Sequence, residues 1–316
     1  MNLGYACINM QLSYPQQYGG KEKGVKPITT GRSMIKRTFD TKGVDYASEL
    51  TLANAMDLDK IIDWNILNGY KFFRITSGLA PWKSEYEWED LKDLKRIQMY
   101  LHSAGIKSKT HGLRITSHPG PFNVLTSPHE HVVQNCVGDL TMHGDVFDML
   151  GQSRTHYNKI NIHIGGVYGD KVSAMERFCE NFHRLPNSVK SRLTVENDDK
   201  ASMWSVKHLY EYIYSRVGVP IVFDYHHHRF CTGGLSEGEA LKLAVSTWKS
   251  AKPVVHLSES RREEQGDAKI KEQAHSDYVY TPVDNYGCDY DMMIEAKAKE
   301  LSLVRYRDIL CERMCA

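Results

Sequence analysis

Short apolar runs alternate with longer stretches of helical periodicity along most of the chain. Runs rich in β-branched and aromatic residues at 2–8, Phe72–Ile75, 113–116, 160–164, 193–195, 220–223 and Val254–Leu257 read as strands. Between them, apolar residues recur every three or four positions over 46–67, 88–104, 171–183, 203–216 and 236–249, as in helices with one face on a core. Asn68-Gly69 and Gly105 are expected to stop the first two. Ser127-Pro128-His129-Glu130 and the pair Ser236 and Glu239 carry the S-x-x-E signature of a capped helix start. Residues 292–295 read as a short eighth strand, although the AKAKELSLVRYRDIL that follows is rich in helix formers and equally allows one long helix. Two stretches break the alternation, 11–45 and 258–289. The first is polar and basic (Lys21, Lys23, Lys26, Arg32, Lys36, Arg37), and a connection of that length is usually functional or mobile.

Strands alternating with helices build a parallel sheet. Eight repeats point to an α/β fold of the (β/α)8 TIM-barrel type, one domain over residues 1–316 with 11–45 as a long basic loop after the first strand. No G-x-G-x-x-G follows the first strand and no Walker sequence occurs, so no nucleotide cofactor is expected.

Composition narrows this only a little. Forty Lys and Arg against 39 Asp and Glu leave a net charge of +1, so overall charge does not announce a nucleic-acid binder; a local basic surface would suffice. Seven scattered cysteines without a C-x-x-C pair fit reduced thiols rather than a disulfide scaffold. No run approaches the roughly 18 apolar residues of a membrane span, and the N-terminus has no basic region leading into a long apolar one. The expectation is an intracellular, cytoplasmic monomer, nuclear in a eukaryote, without a membrane partner.

The chemistry concentrates at strand ends. In PIVFDYHHH (220–228) an apolar strand stops at Asp224 and three histidines follow. His118, His163, Glu196, Asp224, His256 and Glu295 each follow or terminate a strand, at separations of 45, 33, 28, 32 and 39 residues. That is one candidate ligand per β/α unit, all at the C-terminal mouth of a barrel. Carboxylates and neutral imidazoles suit zinc, manganese or iron. So many donors exceed the needs of one tetrahedral ion, so two or three clustered ions are expected, with Glu196 as the bridge. Clustered ions suit displacement at phosphorus and also sugar isomerisation by hydride shift; the ligands alone do not choose.

The chain resembles the UV damage endonucleases, relatives of endonuclease IV, along nearly its whole length. The resemblance rests on GYAC at Gly4–Cys7, ANAMDLDKIIDWN at Ala53–Asn65, FRITS at Phe73–Ser77, SHPG at Ser117–Gly120, HIGGVYGDK at His163–Lys171, ENDD at Glu196–Asp199, FDYHHH at Phe223–His228, HLSES at His256–Ser260, AHSDYV at Ala274–Val279 and EAKAKEL at Glu295–Leu301. It implies a metal-dependent DNA repair endonuclease that nicks damaged double-stranded DNA 5′ of ultraviolet photoproducts and other distorting lesions and leaves a 3′-hydroxyl. The implied ligands are His118, His163, Glu196, Asp224, His227, His256, His275 and Glu295. The implied ion is manganese first, zinc or magnesium otherwise. Glu196, Lys171 and Glu85 are the implied catalytic residues. Glu85 aligns with a family active-site histidine. Tyr5 and Asn9 match positions that approach the lesion, and Arg114 and Arg229 are candidate phosphate contacts. Two further departures stand out: Pro121-Phe122 replace a Gln-Tyr that wedges into the duplex, and Val254 replaces a lysine two before the seventh-strand histidine. A metal-dependent sugar isomerase or epimerase and a non-cleaving damage-binding protein are the competing readings.

Overall fold

The computed structural model describes residues 1–21 and 23–315. Among them, eight parallel strands close into a barrel in sequential order: β1 Leu3–Ala6, β2 Phe72–Ile75, β3 Arg114–Ser117, β4 Ile160–Ile162, β5 Leu193–Glu196, β6 Ile221–Asp224, β7 Val254–Leu257 and β8 Asp291–Ile294. β8 pairs with β1 on one side and β7 on the other, which closes the ring. The reading of 292–295 as a strand therefore holds over the long-helix alternative. Glu295 lies one residue past it, and the terminal helix Glu300–Cys315 starts later.

Side chains alternate across each strand, so residues two apart share a face. Phe72, Val222, Val254 and Met293 lie two residues before Arg74, Asp224, His256 and Glu295, and they pack with Ala6 and Trp248 as an apolar plug inside the barrel. Gly4 makes room for this plug: a Cβ there would lie 2.6 Å from the Phe72 ring. The larger core fills the space between the strands and the surrounding helices.

Several expected boundaries move. The helix expected from 46 begins at Lys36 and runs to Leu67, kinked at Gly43, whose φ of 66° is left-handed. Residues 36–42 carry no apolar stripe, so their periodicity did not announce a helix. The basic loop is accordingly shorter and includes the short helix Met10–Ser13. Gly105 does not stop its helix, which spans Leu94–Thr110; a Cβ at Gly105 would lie 1.7 Å from the Leu150 carbonyl oxygen, so close packing requires this glycine. The helix expected from Ser127 starts at Glu130, because Ser127 Oγ accepts from the His129 amide and the Glu130 side chain turns outward to Arg184. The Ser236–Glu239 capping box is formed as expected.

Candidate metal centre

The strand ends deliver their side chains to one place. His118 follows β3, His163 follows β4, Glu196 and Asp224 end β5 and β6, His256 lies in β7 and Glu295 follows β8. Asp224 also caps the four-residue helix Tyr225–His228 by accepting from the His227 amide at 2.9 Å, which turns the His227 ring back toward the barrel axis. Three donor sets result, each with its ligand atoms within 4.8 Å of one another: His118, His163 and Glu196; Glu196, Asp224 and His227; Asp224, His256 and Glu295. Glu196 and Asp224 each belong to two sets. Both are fully buried, so each carboxylate has the connectivity of a bridge.

The electrostatics fit cations. Burial acts to raise the Glu196 pKa, but the imidazoles of His256, His163 and His118 hold it well below the usual carboxylate range. Burial acts to lower the His163 pKa, yet Glu196 and Asp198 raise it to about 10. The imidazoles therefore stand in for the positive charge that three converging carboxylates require. Asp224 Oδ2 is buried without a hydrogen-bond partner. Burial, with Glu196 and Glu295 nearby, raises the Asp224 pKa; an orphaned carboxylate oxygen in that setting suits a cation, and the nitrogen and oxygen donor set suits a divalent metal.

Outer contacts orient these ligands. His118 Nδ1 lies 3.0 Å from the Pro119 carbonyl oxygen while Nε2 faces Glu196 at 3.2 Å. His163 Nδ1 lies 3.0 Å from Asp198, and His227 Nδ1 lies 2.9 Å from the Asn197 carbonyl oxygen. Asn161 donates to Glu196 and is itself held by the Thr194 hydroxyl. Such partners fix ring orientation and tune basicity.

Four of these neighbours had not been assigned from sequence: Asn161, Asp198, Arg74 and Lys159. Arg74 pairs with Glu295. Lys159 is fully buried, and its Nζ lies 3.1 Å from His256 Nε2. Strand alternation holds the signal. Positions 159 and 161 share the face of His163, so both point into the barrel.

Other expected residues lie elsewhere. His275 stands at the edge of the cluster: its Nδ1 is 2.9 Å from the Glu295 carbonyl oxygen and 3.9 Å from Glu295 Oε2, outside the three sets. An isolated bridge between Ser260 and His275 brings it there from the 258–289 excursion. Lys171 donates to the Met203 carbonyl at 2.7 Å and covers the Trp204 ring, so it braces the loop after β5 instead of entering the cluster. Glu85 is exposed on a separate groove of about 490 Å³ that it shares with Phe122.

Three residues expected to meet DNA are buried instead. Tyr5 and Asn9 are fully buried: Tyr5 donates to Asn65 at 2.7 Å and accepts from Asn9 at 3.0 Å, so both are structural here. Arg114 begins β3 at the opposite end of the barrel from the ligands. It is wholly buried, pairs with Asp291 at 3.0 Å and donates to the carbonyls of Tyr157 and Lys252. Arg229 is exposed but pairs with Glu263 at 2.7 Å. Pro121 and Phe122 do reach solvent, and Phe122 is 86% exposed at a loop tip four residues from His118.

The model of the family described as UV-endonuclease UvdE matches residues 1–314. A UV-damage endonuclease of Schizosaccharomyces pombe is 32% identical over 98% of this chain, which spans only 50% of that relative's length. A UV DNA damage endonuclease of Bacillus mycoides is 32% identical over 85% of this chain and 83% of its own. The crystal structure of SacUVDE superposes with a TM-score of 0.79 at 29% identity, covering 99% of this chain and 98% of that one. Among the described residues, no helix is long and apolar enough to cross a membrane.

Proposed function

The chain belongs to the UV-endonuclease UvdE family, and from that premise we propose that it is a metal-dependent endonuclease acting on ultraviolet-damaged double-stranded DNA. The cut falls 5′ of the lesion and leaves a 3′-hydroxyl. The observation that carries this reading is the pair of buried carboxylates, Glu196 and Asp224, each shared between two donor sets at the barrel mouth. His118, His163, His227, His256 and Glu295 complete the sets, and His275 borders them. Divalent ions held there, manganese first and zinc or magnesium otherwise, supply activation of water and charge stabilisation for in-line displacement at phosphorus.

The chain's own residues do the rest. Asp198 and the Asn197 carbonyl hold the His163 and His227 rings in place. Arg74 offsets the charge of Glu295, so the mouth is less repulsive to a phosphate than three bare carboxylates would be. Phe122 offers a flat exposed ring where an unstacked base can rest. Pro121 carries no amide, so recognition at this loop is more steric than hydrogen-bonded.

The test is nicking of supercoiled plasmid, irradiated or not, with manganese added or chelated. Nicking that needs both irradiation and metal supports the reading. Damage-selective binding without nicking would reassign the protein as a damage binder. Ketose conversion with intact plasmid would reassign it as a sugar isomerase.

A further inference from the structure

We propose that the loop after β1 is a duplex-binding arm that grips the DNA backbone beside the metal centre. This deepens the endonuclease reading and rests on it. The loop leaves the mouth end of β1 and is closed at its base. Ile28 donates its amide to the Leu12 carbonyl at 3.0 Å, and the Ser13 hydroxyl donates to the Ile28 carbonyl at 3.2 Å. Thr30, just beyond, is buried and bonds the carbonyl of Cys7 at the end of β1. Inside the loop, the amides of Gly19 and Lys21 both donate to the Pro15 carbonyl, and Gln16 donates to the Val25 carbonyl at 3.0 Å. Ends that meet, with internal bonds between, make a compact surface loop of a kind that often carries function.

Its surface has two components. Lys21, Lys23 and Lys26 are exposed, and no ion pair to them is found among the described residues. Three exposed cations elsewhere are neutralised, Arg229 by Glu263, Arg184 by Glu130 and Lys92 by Glu49, whereas this loop gathers three exposed lysines within six residues. The second component is aromatic. Tyr14 and Tyr18 are 48% and 37% exposed and meet edge to face at 6.2 Å, with Val25 also exposed nearby in the loop. Exposed tyrosines in the same loop as three exposed lysines suit a partner with a regular array of phosphates and an apolar sugar edge. The lysines take phosphates and the tyrosines lie against sugars. The carboxylate-lined mouth provides no such surface, so affinity for undamaged flanks must come from outside it. The loop recognises backbone and not sequence, because lysine on phosphate reads no base.

The experiment replaces Lys21, Lys23 and Lys26 by Ala together in the full chain, and separately Tyr14 and Tyr18 by Ala. Binding to a fluorescent duplex, with and without one photoproduct, is followed by anisotropy over a range of KCl concentrations. The triple lysine variant is expected to bind both duplexes more weakly by the same factor. The slope of log affinity against log salt should become shallower by about 1 per lysine. The tyrosine variant is expected to weaken binding with the slope unchanged. If the wild type binds DNA and the lysine variant keeps its full slope, the arm is overturned while the endonuclease reading stands. If the wild type binds neither duplex, the endonuclease reading falls and the arm with it. All five positions are surface positions, so circular dichroism should report an intact fold in both variants.

Discussion

Lys159 Nζ sits 3.1 Å from Nε2 of His256, with both residues fully buried and the opposite ring nitrogen, Nδ1, 3.0 Å from Glu196 and 2.9 Å from Glu295. A lysine at the base of the site thus steadies an imidazole whose other nitrogen faces the carboxylates. Burial lowers the Lys159 pKa from 10.5 to about 7. Between those values the unfolded chain binds more protons than the folded one, so this group makes stability rise with pH over that window. Lys159→Met should remove that rise. The check is chemical denaturation of metal-free wild type and variant at pH 6.5, 8 and 9.5. The variant should gain relative stability at the lowest pH and lose the advantage at the highest.

Glu196 belongs to two donor sets and is fully buried. Glu196→Ala should lower nicking of irradiated plasmid at least ~100-fold, beyond the range that outer-shell changes cost metal sites. Binding to damaged duplex should change little, because no exposed surface is altered. Retention of full nicking would remove Glu196 from the bridging role.

Metal uptake should release protons. His163 is raised to about 10 by Glu196 and Asp198 against the effect of burial, and carboxylates raise His256 and His227 in the same way. A ligand imidazole must be neutral, so metal affinity should climb with pH from about 6.5 toward 10. The same raised pKa means that, without metal, the His163 ion pairs stabilise the fold below about pH 6.5 and lose that contribution as pH rises through about 10. Calorimetry of manganese binding in buffers of different ionisation heat counts the released protons. A count of zero would contradict the charged imidazoles.

Asp198 is a positioning residue for His163, 3.0 Å from its Nδ1. Asp198→Asn should weaken metal binding roughly 10- to 100-fold without unfolding the protein. Metal content after dialysis against graded chelator gives the shift directly.

Arg114 belongs to the floor of the barrel rather than to a DNA interface. Arg114→Met leaves Asp291 buried and uncompensated and should cost about 3–5 kcal/mol of stability. Urea denaturation measures it. Variants that stay folded should keep the salt slope of DNA binding, which a lost phosphate contact would make shallower.

The convergence of donors was legible because each strand is short and apolar and ends in a donor, so counting β/α units brought His118, His163, Glu196, Asp224, His256 and Glu295 to one mouth without coordinates. The short helix Tyr225–His228 and its Asp224 cap were not legible, since FDYHHH is also consistent with a strand running on into a loop. The arginine at 114 was misassigned even though the strand read over 113–116 puts it at that strand's beginning, away from the mouth; as the first residue of β3 it lies at the floor. Tyr5 misled differently: the resemblance placed it by position, while its hydroxyl is taken up by Asn9 and Asn65.

The sequence by itself determined the barrel and which candidate donors stand at its mouth. Periodicity and strand-end chemistry are local properties, repeated once per unit. Tertiary structure decided which candidate donors fall into one set, which cations lie behind them and which face solvent. Those depend on barrel closure, which sets Lys159 against His256 and Arg74 against Glu295 across strands far apart in the chain. No local pattern encodes such distances, because they follow from packing side chains of fixed length inside a ring of eight strands.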